Sequence, residues 1–201
     1  MLSDLLKDRP KITSTFIFIL FVTTVASGLS LQFSDFIILD SSALNTPQKW
    51  YQFITYSLAI NGLFNWFVYS LVLFLFGKVT EKYLKTWELV LMMITSAIIG
   101  GIAVIIFSGT KFPIRLASPG FIGWGMSSAV IIFGFRNWHQ SESLERATVI
   151  LCFILIVWQI ATFNPPIFFA QCIVMAISAL WVSIRYKKKT SKLPDIDAFG
   201  K

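Results

Sequence analysis

The sequence predicts an all-α, polytopic membrane protein that folds as one domain, and three observations support this fold class. Of its 201 residues, 56% are hydrophobic and only 13% are charged, whereas a soluble domain carries roughly twice that charged fraction. The apolar residues fall in runs of about 17–25, the length that crosses a bilayer as a helix. Lys and Arg are concentrated in alternate loops between these runs, as in membrane proteins of fixed orientation.

We predict six membrane spans from the positions of these apolar runs. Their bounds are about 14–31, 50–76, 88–107, 119–135, 147–163 and 166–184. Residues 1–13 are then a cytoplasmic N-terminal segment, residues 14–185 a six-helix membrane domain, and residues 186–201 a basic cytoplasmic tail. The first run is long enough to span and no cleavage site clearly follows it, so we interpret it as a span. The loop 32–49 is long enough to lie on the membrane surface.

The basic residues predict the orientation of this bundle. With the N-terminus in the cytoplasm, 14 of the 17 Lys and Arg residues lie on the cytoplasmic side. Only Lys49, Lys111 and Arg115 lie outside. This distribution follows the positive-inside rule and predicts an even number of spans with both termini inside. Topology therefore accounts for the net charge of +7, and no basic cluster interleaved with aromatic residues indicates a nucleic-acid partner.

Neutral polar residues lie inside the predicted spans, where unpaired polar groups are costly and often functional. Span two carries Asn61, Asn65 and Tyr69 at four-residue spacing, which places them on one helix face, and Ser57 extends this row. The later spans carry Ser127, Ser128, Gln159, Gln171 and Ser178. These groups either hydrogen-bond between helices and hold the bundle together, or they line a functional site. None of them ionises near neutral pH, which argues against a proton-coupled transporter.

The two cysteines carry no motif for metal or redox chemistry. Cys152 and Cys172 fall within predicted spans and lack CxxC spacing. We therefore expect free thiols that act as small hydrophobic side chains, and we expect neither a metal nor a small-molecule cofactor.

Short motifs occur in a characteristic order along the chain. Trp50 follows a lysine at the entry to span two, and the run from Phe76 through Gly77 to Glu81 closes that span. Span four then carries the run Gly125-Met126-Ser127-Ser128. In this order the chain resembles the rhomboid family, the intramembrane serine proteases with a six-helix core. The resemblance covers about residues 14–185 and implies that Ser127 occupies the position of the nucleophile.

The resemblance also implies that most of the catalytic machinery is replaced. The family has a glycine after its nucleophile, where this chain has Ser128. Its catalytic histidine in span six falls on Gln171, and the two glycines that follow fall on Val174 and Ser178. Its histidine and asparagine in span two fall on Asn65 and Tyr69.

The chain offers no other base to Ser127. A serine hydroxyl needs a base within hydrogen-bond reach to become a nucleophile, and the Gln171 amide is not basic. The one histidine, His139, lies twelve residues after Ser127, about 18 Å along a helix. It should lie at the cytoplasmic face, whereas a rhomboid site opens to the outer side. We expect no protease activity.

The sequence therefore predicts a non-catalytic rhomboid-like protein that holds the transmembrane segment of a partner or client. Rhomboid-like pseudoproteases such as iRhoms and Derlins act in this way, so we expect a subunit of a larger membrane complex. Asn61, Asn65, Tyr69, Ser127 and Gln171 would line the site, and Trp50, Trp66 and Trp124 would frame its mouth. The alternatives are an active rhomboid-type protease with an unconventional or partner-supplied base, or a transport or lipid-handling protein. Amino-acid usage and the minimal length favour a bacterial inner membrane.

Overall fold

The computed structural model describes residues 10–58, 60–109, 115–139 and 141–190, excluding the side chains of residues 115 and 186–190, and these residues are mostly helical. The α-helices are α1 Lys11–Leu29, α2 Leu31–Ile37, α3 Gln52–Thr55, α4 Leu63–Tyr83, α5 Thr86–Ser108, α6 Gly120–Arg136, α7 Ser143–Ala161 and α8 Pro165–Thr190. Two short strands, β1 Leu39–Asp40 and β2 Arg115–Leu116, and three single-turn 3₁₀ helices complete the described elements. Residues 1–9 of the predicted N-terminal segment and residues 191–201 of the tail lie outside the described residues.

Five helices of the described chain are long and apolar enough to cross a membrane. They are α1, α4, α5, α7 and the part of α8 that ends at Arg185. Helix α6 is also apolar but has 17 residues, so its length of about 26 Å is slightly less than a bilayer core of about 30 Å. These helices support a multi-pass membrane protein, while the count of six spans and the orientation stay predictions. Helix α8 continues to Thr190, beyond the predicted end of span six at about residue 184.

Helix α6 lies at the centre of the bundle, packed against α4, α5, α7 and α8. Small residues permit this packing. A Cβ atom at Gly125 would overlap the Ser96 hydroxyl of α5 and come within 3.2 Å of the Ser178 hydroxyl of α8. On the α7 side, a Cβ atom at Gly134 would overlap Val149. The glycines of α6 therefore bring three neighbouring helices close to the segment that carries Ser127.

The end of α4 holds the beginning of α1. Pro10 precedes α1 and supplies no side-chain cap. Glu81 replaces the cap, because its carboxylate accepts hydrogen bonds from the Thr13 backbone N–H at 2.7 Å and from the Thr13 hydroxyl at 2.8 Å. A negative charge at a helix N-terminus is also favourable to the helix dipole. Gly77 leaves the space that Thr13 occupies. The motif from Gly77 to Glu81 thus joins two helices that are far apart in sequence.

The segment between α1 and α4 differs from the prediction. Span two was predicted to begin at Trp50, but residues 52–58 form α3 and a 3₁₀ turn, and α4 begins at Leu63. Tyr56 is buried and its hydroxyl donates to the Ala97 carbonyl of α5 at 2.6 Å. Gly62, with φ of +87°, takes a left-handed conformation that favours glycine. This turn separates α3 and the 3₁₀ turn from α4. The hydropathy of the sequence does not reveal it, because the run around it is apolar on both sides.

The loop 32–49, which is long enough to lie on the membrane surface, contains helical turns and strand β1. Strand β1 pairs with β2 in antiparallel register, so Leu39 faces Leu116. Leu39 is fully buried. This pairing joins the loop before α4 to the loop before α6, and it brings residues 115–118 to the same end of the bundle as the beginnings of α4 and α6.

Candidate functional site

A cavity of about 610 Å³ lies over α6, between α4 and α7. Its walls come from α4, α6, α7, the beginning of α8 and the segment that follows β2. Val68 of α4 and Trp158 of α7 line the cavity and are both exposed, so it reaches the lateral surface of the bundle. The inner wall is apolar and includes Leu73, Phe76 and Cys152.

The structure brings five of the predicted site residues to this cavity. Asn61, Asn65, Tyr69, Ser127 and Gln171 all line it. Asn61 does so from outside the helix, in the bend before α4, so the predicted single helix face holds only for Asn65 and Tyr69. Asn65 and Asn61 are nevertheless linked, because the Asn65 side-chain amide donates to the Asn61 carbonyl at 2.7 Å.

Other predicted positions lie elsewhere. Ser128 is buried and its hydroxyl donates to the Gly125 carbonyl at 2.7 Å, because one step along α6 turns it away from the cavity. Ser57 is buried in the 3₁₀ turn before the break and bonds the Ile54 carbonyl. Among the three tryptophans predicted at the mouth, Trp124 lines the cavity. Trp50 is exposed and does not line it, and Trp66 donates to the Ile17 carbonyl of α1 at 3.4 Å.

Ser127 lies two turns into α6 and is only 1% exposed. Its hydroxyl donates to the Trp124 carbonyl at 2.8 Å. Among the described residues that line the cavity, none is His, Lys, Arg, Asp or Glu. The described part of the cavity therefore offers Ser127 hydrogen-bonding neighbours but no basic side chain.

His139 lies beyond the other end of α6. It follows Arg136, the last residue of the helix, and its carbonyl accepts a hydrogen bond from the Arg146 guanidinium at 3.5 Å. The nine residues from Ser127 to Arg136 already rise about 13 Å. His139 does not line the cavity.

Gln171 presents an unsatisfied acceptor at the cavity. Its side chain is 9% exposed, and its Oε1 atom is buried without a hydrogen-bond partner among the described residues. A buried polar atom without a partner costs about 1–3 kcal/mol. Such an atom at a cavity wall indicates a position where a hydrogen-bond donor would be stabilised.

Sequence reasoning missed two polar residues of the cavity. Gln159 is a polar residue of the predicted span five that was not assigned to the site, and Asn164 lies in the short connection between the predicted spans five and six. Both line the cavity. The signal was the shortness of the α7–α8 connection, which places the end of α7 and the beginning of α8 at the same end of the bundle.

At the opposite end of the bundle an ion pair holds α4 against α7. Lys82 Nζ lies 2.6 Å from Glu145 Oε1 and 3.6 Å from Glu142 Oε1. The two helices that form the side walls of the cavity are thus joined at one end and separated by the cavity at the other.

A family model for the Rhomboid domain matches residues 47–186, more than half of the chain. This chain belongs to the rhomboid family. The matched part of this rhomboid protein begins before α3 and ends within α8. It contains Ser127, Gln171 and the motif from Gly77 to Glu81, so the resemblance seen in the sequence is confirmed at the level of the family. No curated protein matches the chain.

Proposed function

We propose that this rhomboid protein is non-catalytic and holds the transmembrane segment of another membrane protein in the cavity between α4 and α7. One observation carries the proposal. The cavity places Ser127 together with Gln171, Asn65 and Tyr69, and the described lining contains no ionisable base. The site therefore offers hydrogen-bonding groups to a client but no base to Ser127.

The chemistry of the lining argues against proteolysis. A serine attacks a carbonyl only when a base accepts its proton, and the hydroxyl of Ser127 donates instead to its own helix. Asn65 can donate a hydrogen bond to a developing oxyanion. Oxyanion stabilisation without a base leaves slow residual catalysis at most.

The same lining is suited to holding a helix. The cavity reaches the bundle surface between the exposed residues Val68 and Trp158, so a helix in the bilayer has lateral access to it. Hydrogen bonds between membrane helices contribute about 0.6–2 kcal/mol each. A few such bonds favour a client with polar groups over surrounding lipid.

We place the protein in a bacterial inner membrane, as a subunit or accessory factor of a larger complex.

An activity-based probe tests the absence of catalysis. Purified full-length protein in detergent is incubated with a fluorophosphonate, with an active rhomboid protease as positive control and Ser127→Ala as negative control. We expect no difference between the native chain and Ser127→Ala. Labelling of Ser127 would show an activated nucleophile and refute the proposal.

Recovery of a partner tests the binding function. We expect a membrane protein to co-purify from native membranes in mild detergent, and the double variant Asn65→Leu, Gln171→Leu to recover several-fold less of it. Thr95→Leu is the matched control, because Thr95 is exposed on α5 away from the cavity and bonds only its own helix. Unchanged recovery with the cavity variant would place the contact elsewhere.

A further inference from the structure

We infer that the cavity selects client helices by a carboxamide side chain, an asparagine or glutamine buried within the client's transmembrane segment. The inference rests on the proposed client-holding function and names the chemical group that is recognised. It arises from the carboxamides of the polar lining, which also contains the hydroxyls of Tyr69, Ser118, Ser127 and Thr162.

Five carboxamides line the cavity and converge from different parts of the chain: Asn61, Asn65, Gln159, Asn164 and Gln171. A carboxamide both donates two hydrogen bonds and accepts two, so these side chains are complementary to another carboxamide. Gln171 specifies the kind of group that the cavity binds, because its Oε1 atom is buried and has no hydrogen-bond partner in the described chain. The group that satisfies it must supply an N–H or O–H donor.

Charged client residues fit this lining poorly. A Lys, Arg, Asp or Glu side chain within a membrane needs a partner of opposite charge or access to water. The described lining contains no ionised side chain. A charged client residue would therefore lose hydration without gaining an ion pair.

Hydroxyl groups are also weaker candidates than carboxamides. Serine and threonine in a helix tend to donate to a carbonyl of the preceding turn. The hydroxyls of Thr80, Thr95 and Ser128 all do so here. A client serine would satisfy its single donor in the same way. A client carboxamide keeps a free N–H and a free carbonyl oxygen even after one such bond, as Asn65 does after donating to Asn61.

The geometry also predicts how deep in the membrane the recognised client group lies. Ser127 lies seven residues after the beginning of α6, and Gln171 lies six residues after the beginning of α8. At 1.5 Å per residue, the two residues lie about 9–11 Å from the beginnings of their helices. A client carboxamide should therefore lie about two turns inside the membrane from that face.

Designed peptides test the inference. A leucine-rich transmembrane host with one guest residue two turns from one end is added to full-length protein in lipid nanodiscs, and binding is followed by energy transfer. Guests are Asn, Gln, Ser, Leu, Asp and Lys. We expect Asn and Gln peptides to bind about 3- to 30-fold more tightly than the Leu peptide, which corresponds to one or two hydrogen bonds in a membrane. Moving Asn two turns deeper should remove the gain.

Variants assign the preference to the cavity. Gln171→Leu should reduce the Asn-over-Leu ratio several-fold, and Thr95→Leu should preserve the ratio. Equal binding of Asn and Leu peptides to the native chain would overturn carboxamide recognition but leave client holding intact. A preference for Asp or Lys would also overturn it. Failure of every peptide to bind would contradict the proposed function itself.

Discussion

At the scale of single residues, Gly125 determines how closely α5, α6 and α8 approach. Its missing side chain provides the space that the hydroxyls of Ser96 and Ser178 occupy, and these two oxygens lie 3.4 Å apart. Packed cores resist added methyl groups because neighbours must leave their preferred rotamers. The glycine before Ser127 thus has a packing role that is independent of catalysis.

We expect Gly125→Ala to destabilise the protein by about 1–3 kcal/mol, since the new methyl group overlaps Ser96. Gly28→Ala is the matched control, because a Cβ atom there meets nothing within 4 Å. The free energy of unfolding in mixed detergent is measured for both variants. Combining Gly125→Ala with Ser96→Ala should recover part of the loss, and an absence of recovery would place the strain elsewhere.

The ionisation of Asp40 makes the stability of the loop before α4 depend on pH. The hydrogen bond from the Ser42 backbone N–H lowers the pKa of the Asp40 carboxyl, and Lys49 contributes to the same effect, although partial burial opposes it. Because the folded pKa is below that of the unfolded chain, the stabilisation is complete above the ordinary value and is lost as the pH falls through the folded one.

We therefore expect the 3₁₀ turn Ser41–Leu44 to loosen at a pH below about 4. Hydrogen exchange at the Ser42 amide, corrected for intrinsic rates and compared at pH 6 and pH 3, measures this change. Asp40→Asn should remove most of the pH dependence. An equally strong response in that variant would assign the effect to another group.

At the scale of the elements, the cavity exists because α4 and α7 are joined at one end only. Glu145 is buried, with its side chain 8% exposed, and Lys82 reaches it at 2.6 Å. Glu142 is a weaker partner, 3.6 Å away and 68% exposed. The bond from Lys82 to the buried Glu145 therefore fixes the ends of the two helices while their other ends remain apart.

We expect Glu145→Gln to destabilise the bundle by about 1–3 kcal/mol, because it removes a charge-assisted hydrogen bond. The variant should also broaden the distribution of distances between spin labels placed at two exposed positions, Leu71 on α4 and Ile154 on α7. Glu142→Gln is the matched control and should change neither quantity measurably. Equal effects of the two variants would contradict the special role of Glu145.

At the scale of the whole molecule, the distribution of basic residues predicts the orientation of the bundle in the membrane. The positive-inside rule predicts that both termini lie in the cytoplasm. Fusion of a fluorescent protein after Lys201 should give a fluorescent product in bacteria, and alkaline phosphatase fused after Lys49 should be active. The reverse pattern would contradict the predicted orientation and with it the outward opening of the cavity.

The sequence by itself determined the helical membrane class, the rhomboid family and the position of Ser127 within an apolar helix, because hydropathy and short motifs are local properties. It also predicted that Asn65, Tyr69 and Gln171 share a site with Ser127, since family motifs carry their spatial arrangement with them. It failed at residues 50–62, because an apolar run has the same hydropathy whether it forms one helix or turns at Gly62.

Only the tertiary structure revealed the pairs that are distant in sequence. Glu81 meets Thr13, Lys82 meets Glu145, and Gln159 and Asn164 join the cavity. No local pattern predicts these neighbours, because packing decides which helix faces meet. The same packing leaves the Gln171 oxygen buried without a partner among the described residues, and this unpaired acceptor at the cavity wall is visible only in the tertiary structure.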